Sequence, residues 1–299
     1  MLIDLPLSRT ALDRAGHLRA DQAELDRLWA SGRIIELIGD RFLTTGNALS
    51  YVSPTTEGES YFLGLDGDGV AYFAAHRKVE NVEYPPEFQN LRTLGHHLDE
   101  LQIGLAVHAL ALGQWHDAHR CCAQCGKETR SILGGSVREC PSCAAQHHPR
   151  TDPAVIVLVK DGKDRILLGR QKVWPAKRFS TFAGFVEPGE SFENCVRREV
   201  KEECGGAVIS RRYLGSQPWP FPASIMIAYE AEISNPDSVQ PDGEEIEEII
   251  WLDRESLKSR TQSGELILPP LISVARAMIN SWYGKDASKD LLGGESWRN

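Results

Sequence analysis

The sequence predicts an α+β chain: a mixed α/β sandwich of about 130 residues towards the C-terminus, a compact cysteine module before it, and a smaller β-rich N-terminal domain ending in a helix. Three observations predict this. Strand-like and helix-like stretches alternate after Pro149, as layered α/β domains require. Two matched Cys-x2-Cys pairs sit directly upstream, and the first hundred residues show β-hairpin patterning broken by glycine-rich reversals.

Taken in order, RIIELIGDRFLTT and YFLGLDGDGVAYFAA read as hairpins, the second reversing at GLDGDG. DELQIGLAVHALALGQWHDAHR then places Leu101, Leu105, Ala109 and Leu112 at helical spacing. His108, His116 and His119 on that helix are set aside as metal ligands, because four better ones follow at once. Cys122-x2-Cys125 and Cys140-x2-Cys143 are separated by fourteen residues. Each turn aims two thiolates at one centre, so Cys122, Cys125, Cys140 and Cys143 are expected to close a structural tetrahedral Zn²⁺ site. Of the remaining cysteines, Cys195 and Cys204 are expected in the core.

Beyond Pro149 come a buried strand AVIVLV, the turn DGKD, the strand RILLGR, a loop, an acidic helix, and the strands SIMIAYEAEI and EEIIWLD. A last helix runs through LISVARAMINSWY, and the tail is expected to fray. The expected boundaries are 1–117 for the N-terminal domain, 118–148 for the ribbon, 149–285 for the sandwich and 286–299 for the tail.

Of 299 residues, 41% are hydrophobic and 25% charged, an ordinary globular composition. The net charge of −9 argues against broad nucleic-acid binding, which needs many phosphate-neutralising cations. The start, MLIDLPLSRTALDRAG, lacks the cationic-then-apolar pattern of a secretory signal, and AVIVLV is far too short to span a bilayer. The expectation is a cytoplasmic protein with reduced cysteines and no membrane partner.

The acidic helix carries the chemistry. Ser191 reads as its N-cap, Phe192 to Cys204 as its body and Gly205 as its C′ residue. Phe192, Val196, Val200 and Cys204 form one apolar stripe for the sheet. Glu199, Glu202 and Glu203 lie at i, i+3 and i+4 beside it and are expected to face one cleft. A solvated acidic face explains this poorly, since like charges at these spacings repel and the helix dipole disfavours anions in the last turn. Bound Mg²⁺ or Mn²⁺ relieves both costs, hard cations preferring carboxylate oxygen.

The spacing Gly184-x5-Glu190-x7-Arg198-Glu199-Val200-x-Glu202-Glu203-x-Gly205 is the Nudix box, and the segment closely resembles Nudix hydrolases. It departs at Gly206, where the family carries a bulky apolar residue; Val208 is expected to fill that space. The resemblance implies the Nudix α/β/α sandwich. It makes Glu199, Glu202 and Glu203 catalytic ligands or base, adds the carbonyl of Ala183 and matches Glu245 to a downstream ligand. Glu244, Glu247 and Glu248 are neighbours easily confused with Glu245.

SQPWPFP, about eleven residues past the box, the four-cysteine ribbon and PRTDPAVIV resemble the NADH pyrophosphatase subfamily. That resemblance implies hydrolysis of NADH and NAD⁺ to a nicotinamide mononucleotide and AMP, removal of NAD caps from RNA 5′ ends by some members, and a homodimer. By match, Phe185 stacks on a base, Gln217, Pro218, Trp219, Pro220, Phe221, Pro222, Ala223 and Ser224 line the pocket, and Ala275 and His148 add contacts; Arg92 is a candidate phosphate or substrate contact from the N-terminal domain. His147-His148 stand where the family commonly has tyrosines. Two alternatives are weighed: a Nudix hydrolase of another dinucleotide such as ADP-ribose, against which SQPWPFP argues, and a zinc-ribbon nucleic-acid-binding module using Arg130, Arg138, Arg150 and Arg170–Arg178.

Overall fold

Asp21 opens the first helix, α1 (Gln22–Ser31), by accepting the Glu24 N–H at 3.0 Å. The computed structural model describes residues 5–54, 58–78 and 83–291. After α1 come β1 (Arg33–Ile38), β2 (Arg41–Thr45), β3 (Ala48–Leu49), β4 (Tyr51–Val52), β5 (Glu59–Leu65), β6 (Ala71–Arg77) and β7 (Phe88–Asn90). They form one sheet ordered β3-β2-β1-β6-β5, with β4 on β1 and β7 on β2. Both expected hairpins are present, as β1–β2 and β5–β6. Asp66 turns the second by accepting the N–H groups of Asp68 and Val70 at 3.0 and 2.9 Å. The short α2 (Leu91–Leu94) and the long α3 (Glu100–Ala118) follow, α3 capped by Asp99, with Leu105, Ala109 and Leu112 buried.

The ribbon carries β8 (Arg130–Ile132), β9 (Val137–Glu139) and β10 (Gln146–His147) in an antiparallel sheet. Arg138 on β9 is buried, bonded to Thr129, Glu59 and His116. His116, once a tempting ligand, also meets the Gly135 carbonyl at 2.8 Å. It is a core histidine.

The sandwich is built on β11 (Asp152–Lys160), with β12 (Ile166–Gln171), β13 (Phe182–Phe185), α4 (Phe192–Cys204), β14 (Val208–Trp219), β15 (Ser224–Ile233), β16 (Ile246–Leu252), α5 (Arg254–Gln262), α6 (Val274–Tyr283) and α7 (Ala287–Asp290). Its six strands run β14-β15-β11-β12-β16, with β13 on β11. β11 is buried on both faces. Val155, Val157 and Val159 join Val196, Val200 and Cys204 of α4, while Ile156 and Leu158 join Leu257 of α5 and Met278 and Ile279 of α6. A continuous aliphatic run is what such a doubly covered strand needs. Burying each valine contributes about 1.5–3 kcal/mol.

Among the described residues the chain divides into two compact units, one of 5–8, Asp152–Pro218 and 224–291, the other of Arg9–Thr151 and Trp219–Ala223. The start of the chain at 1–4 and the tail from 292 lie outside the described residues, and with them the expected frayed end. Among those described, no helix is long and apolar enough to cross a membrane.

α4 spans the expected residues, but its apolar stripe needs correction. Phe192 is 40% exposed, and Cys195 takes its place in the core at 0%. Gly206 also has a reason to be small. A Cβ there would lie 2.7 Å from Val200 Cγ1 and 3.2 Å from Ile233 Cγ2, while Val208 packs on the same cluster. The volume is already filled. Gly206→Val is expected to cost about 1–3 kcal/mol by overpacking, read as a lower urea midpoint with an unchanged m-value.

Candidate active site and metal centre

β13 and α4 meet where the chain has least bulk. Gly184 lies under Glu199 so closely that a Cβ would stand 1.9 Å from its carboxylate. Ser191 caps α4 by accepting the Asn194 N–H, and Gly205 ends it at φ 68°, a left-handed value that glycine tolerates. Glu199 and Glu203, one turn apart, are both buried. Glu202 departs from the expectation of a shared cleft: its side chain is 59% exposed and reaches back to Arg198.

One guanidinium organises these acids. Arg198 binds both oxygens of Glu190 at 2.9 and 2.8 Å, Glu199 at 2.6 Å, Glu202 at 3.0 Å and the Phe185 carbonyl at 2.9 Å. Its hydrogen bonds hold the Glu190 carboxyl down at about 2. Among the described residues Glu203 has no such counter-charge. Burial, then the negative charges of Glu245 and Glu199, push it up to about 9, against a smaller downward pull from the Ala183 amide. Burial likewise raises Glu199, against the pull of Arg198.

Glu203 Oε2 is buried with no hydrogen-bond partner among the described residues. A buried acceptor left open needs an occupant. The donor set around it is hard oxygen, which fits Mg²⁺ or Mn²⁺. Glu245 is the acid of its cluster whose charge reaches both Glu203 and Glu199; Gln171 donates to it at 2.7 Å. Glu247 and Glu248 pair with Arg170 instead.

Since Glu203 stands above the ordinary 4.5 in the fold, the metal-free protein holds a proton between that value and about 9 that the unfolded chain has lost, and its stability falls as pH rises through this window. A divalent ion must displace that proton. Calorimetry in two buffers of different ionisation enthalpy is expected to show about one proton released per Mn²⁺ near pH 7. Affinity independent of pH between about 6 and 9 contradicts the assignment.

The remaining expected residues divide. Phe185 ends β13 and is 62% exposed, open to stacking. Trp219 and Phe221 pack edge-on at 4.9 Å, with Arg92 over the Phe221 ring at 3.8 Å and over Trp219 at 5.4 Å. Gln217 does not line a pocket. It is fully buried, Oε1 accepting the Leu7 N–H at 3.2 Å and Nε2 donating to the Ile272 carbonyl at 2.9 Å, so it ties β14 to two neighbouring segments. Ala275, on α6, turns its side chain into the core. His148 is exposed, while His147 sits 3.3 Å from Cys122 Sγ. Gln114, unmarked by any sequence motif, donates to the Pro220 carbonyl at 2.7 Å.

The four cysteine sulfurs lie within 4.8 Å of one another, with Cys122–Cys143 at 3.6 Å and Cys125–Cys140 at 3.5 Å. A tetrahedron with Zn–S bonds of 2.3 Å has edges of about 3.8 Å, so the cluster fits zinc. Both knuckles use the same turn: Gly126 N–H to Cys122 carbonyl at 2.9 Å, and Ala144 N–H to Cys140 carbonyl at 2.8 Å. Gly126 and Ala144 both have positive φ, which the alanine tolerates at some cost.

Residues 150–269 match the NUDIX domain family, and residues 22–115 match the NADH pyrophosphatase-like rudimentary NUDIX domain. The chain is 38% identical over 295 residues to the NAD-capped RNA hydrolase NudC of Mycobacterium bovis (strain BCG / Pasteur 1173P2), covering 92% of this chain and 94% of that one. It is 33% identical over 303 residues, 96% of this chain and 84% of the other, to the mitochondrial NAD(P)H pyrophosphatase NUDT13 of Homo sapiens. Among solved structures, a NUDIX hydrolase from Nitrosomonas europaea covers 46% of this chain and 79% of its own at 22% identity and a TM-score of 0.40.

Proposed function

The chain belongs to the Nudix hydrolases, with a rudimentary NADH pyrophosphatase-like domain before the catalytic one, and from that premise we propose that it hydrolyses the pyrophosphate bond of NADH and NAD⁺ to nicotinamide mononucleotide and AMP, and removes NAD caps from RNA 5′ ends. The observation that carries this reading is the buried Glu203 carboxyl, its Oε2 without a partner among the described residues, beside Glu199 and within the field of Glu245. Such acids suit a pyrophosphate only through divalent cations.

Glu199, Glu202, Glu203, Glu245 and the Ala183 carbonyl would hold Mg²⁺ or Mn²⁺. When bound, the ion neutralises pyrophosphate oxygens and acidifies a water. Arg198 fixes Glu199 from behind, so that carboxylate does not have to reorganise as charge develops, while Glu202 would have to turn in from Arg198 to join the set. A glutamate of this set accepts the attacking water's proton, worth about 10²–10⁴-fold. The water oxygen bonds to one phosphorus, the bridging P–O bond breaks, and the second phosphate leaves with the electron pair. Phe185 and Gln217 to Ser224 are assigned to the substrate side, Gln217 through its support of the backbone rather than by contact.

The same reading keeps 118–148 as a zinc ribbon and 149–285 as the hydrolase domain, and adds a cytoplasmic homodimer, the latter checked by light scattering. Incubation with NADH and Mn²⁺ or Mg²⁺ tests the activity. AMP is the expected product, and AMP from ADP-ribose but none from NADH would overturn the NAD(H) assignment.

A further inference from the structure

We propose that Gln114 and Arg92 are positioning residues: they hold the aromatic segment Trp219–Ala223 in the shape it presents to substrate. The inference rests on the proposed function for the identity of that substrate. The segment belongs to the compact unit of Arg9–Thr151, although Pro218 before it and Ser224 after it belong to the other. Its backbone is poor in donors. Pro220 and Pro222 have no N–H, and the Phe221 N–H is spent on the Trp219 carbonyl at 2.7 Å. Beyond Trp219, where β14 ends, no ladder can therefore fix it, and an external group must supply what the segment lacks.

Two side chains do so. Gln114 stands on α3, a helix of 19 residues with a well-buried body, and its Nε2 reaches the Pro220 carbonyl at 2.7 Å. Arg92 stands on α2, whose start is fixed by Asn90 accepting the Thr93 N–H, and its guanidinium covers Phe221. A planar cation on a ring face is attractive, and the edge-on packing of Trp219 against Phe221 passes the restraint to the second ring. With the face of the guanidinium on Phe221, Arg92 acts through that ring. Without either support the segment samples more conformations, and substrate binding falls by the fraction no longer competent.

Hydrogen exchange on the full-length, metal-loaded protein tests this. The Trp219, Phe221 and Ala223 amides are expected to exchange about tenfold faster in Gln114→Leu and in Arg92→Ala, with the amides of β11 unchanged. In NADH hydrolysis, Gln114→Leu is expected to raise KM about tenfold with kcat within about twofold. The double variant Arg92→Ala/Phe221→Leu is expected to be no worse than Phe221→Leu alone, since both remove one coupling. Unchanged exchange overturns the proposal, as does a loss confined to kcat, and so do additive losses, which place Arg92 directly on substrate. If the unaltered protein yields no AMP from NADH, the proposed function fails, and the exchange measurement still decides this inference.

Discussion

Glu203→Gln lowers kcat for NADH by about three orders of magnitude or more while leaving the metal-free protein at least as stable as before. The two halves of that expectation come from one fact. The carboxyl is pushed up to about 9, so near neutral pH the metal-free fold already holds it as a neutral acid. An amide is close to that acid in size and charge. What the amide cannot do is ionise, and so it cannot meet a divalent cation as an anionic ligand. Thermal melting without metal is thus expected to match the parent at about pH 4 and to exceed it near neutral pH, where only the parent must take up a proton to fold, whereas the Mn²⁺-dependent rise in Tm should vanish. A variant that still turns over within about tenfold of the parent would remove Glu203 from the metal site. One that melts much lower without metal would show the carboxyl to be structural.

The second large effect concerns the ribbon. Within 118–148 the buried side chains are Cys122, Thr129, Val137, Arg138 and Cys140, and Val137 is the only aliphatic one. So small a module has no core of its own. Its order is expected to come from metal binding, which is worth about 10–16 kcal/mol in comparable thiolate sites. Cys140→Ser, or removal of zinc with a strong chelator, should leave this stretch open to limited proteolysis. The damage should spread, because Arg138 and Gly135 of the ribbon bond to His116, and Arg138 also to Glu59. Burial would raise Glu59, but His116 and Arg138 hold it at about 2; freed from them, it returns towards the ordinary carboxylate range. Intact protease resistance in protein shown by metal analysis to lack zinc would refute this.

Where residue chemistry and local geometry coincide, the sequence could be read closely. α4 has a capping serine, a closing glycine and acids at fixed spacing, and its ends are where those signals put them. The cysteine pairs, the hairpins and the doubly buried β11 are similar cases. Other elements send no such signal. α5 buries only Leu257 and Thr261, so its nine residues show no apolar period. β14 is an edge strand, its first half mostly exposed, and Pro218 within it reads as a loop although an edge tolerates proline. α1 and the sheet beside it form a rudimentary version of the catalytic domain, matched only through its family. Gln217 and Ala275 sit beside recognisable substrate segments, and only packing reveals that their side chains point inward. Glu202 differs from Glu203 by one step, a rotation of about 100° round the helix, enough to carry it from the interior to Arg198.

Gly206 ties two positions of this fold together. The room that a larger residue would claim beyond the helix is taken by Val200 and Ile233, so a bulky side chain at 206 by itself is penalised. That substitution should become tolerable once Val200 has first been trimmed to alanine. Grafting this helix into another Nudix protein, or the reverse, then has to carry both positions together.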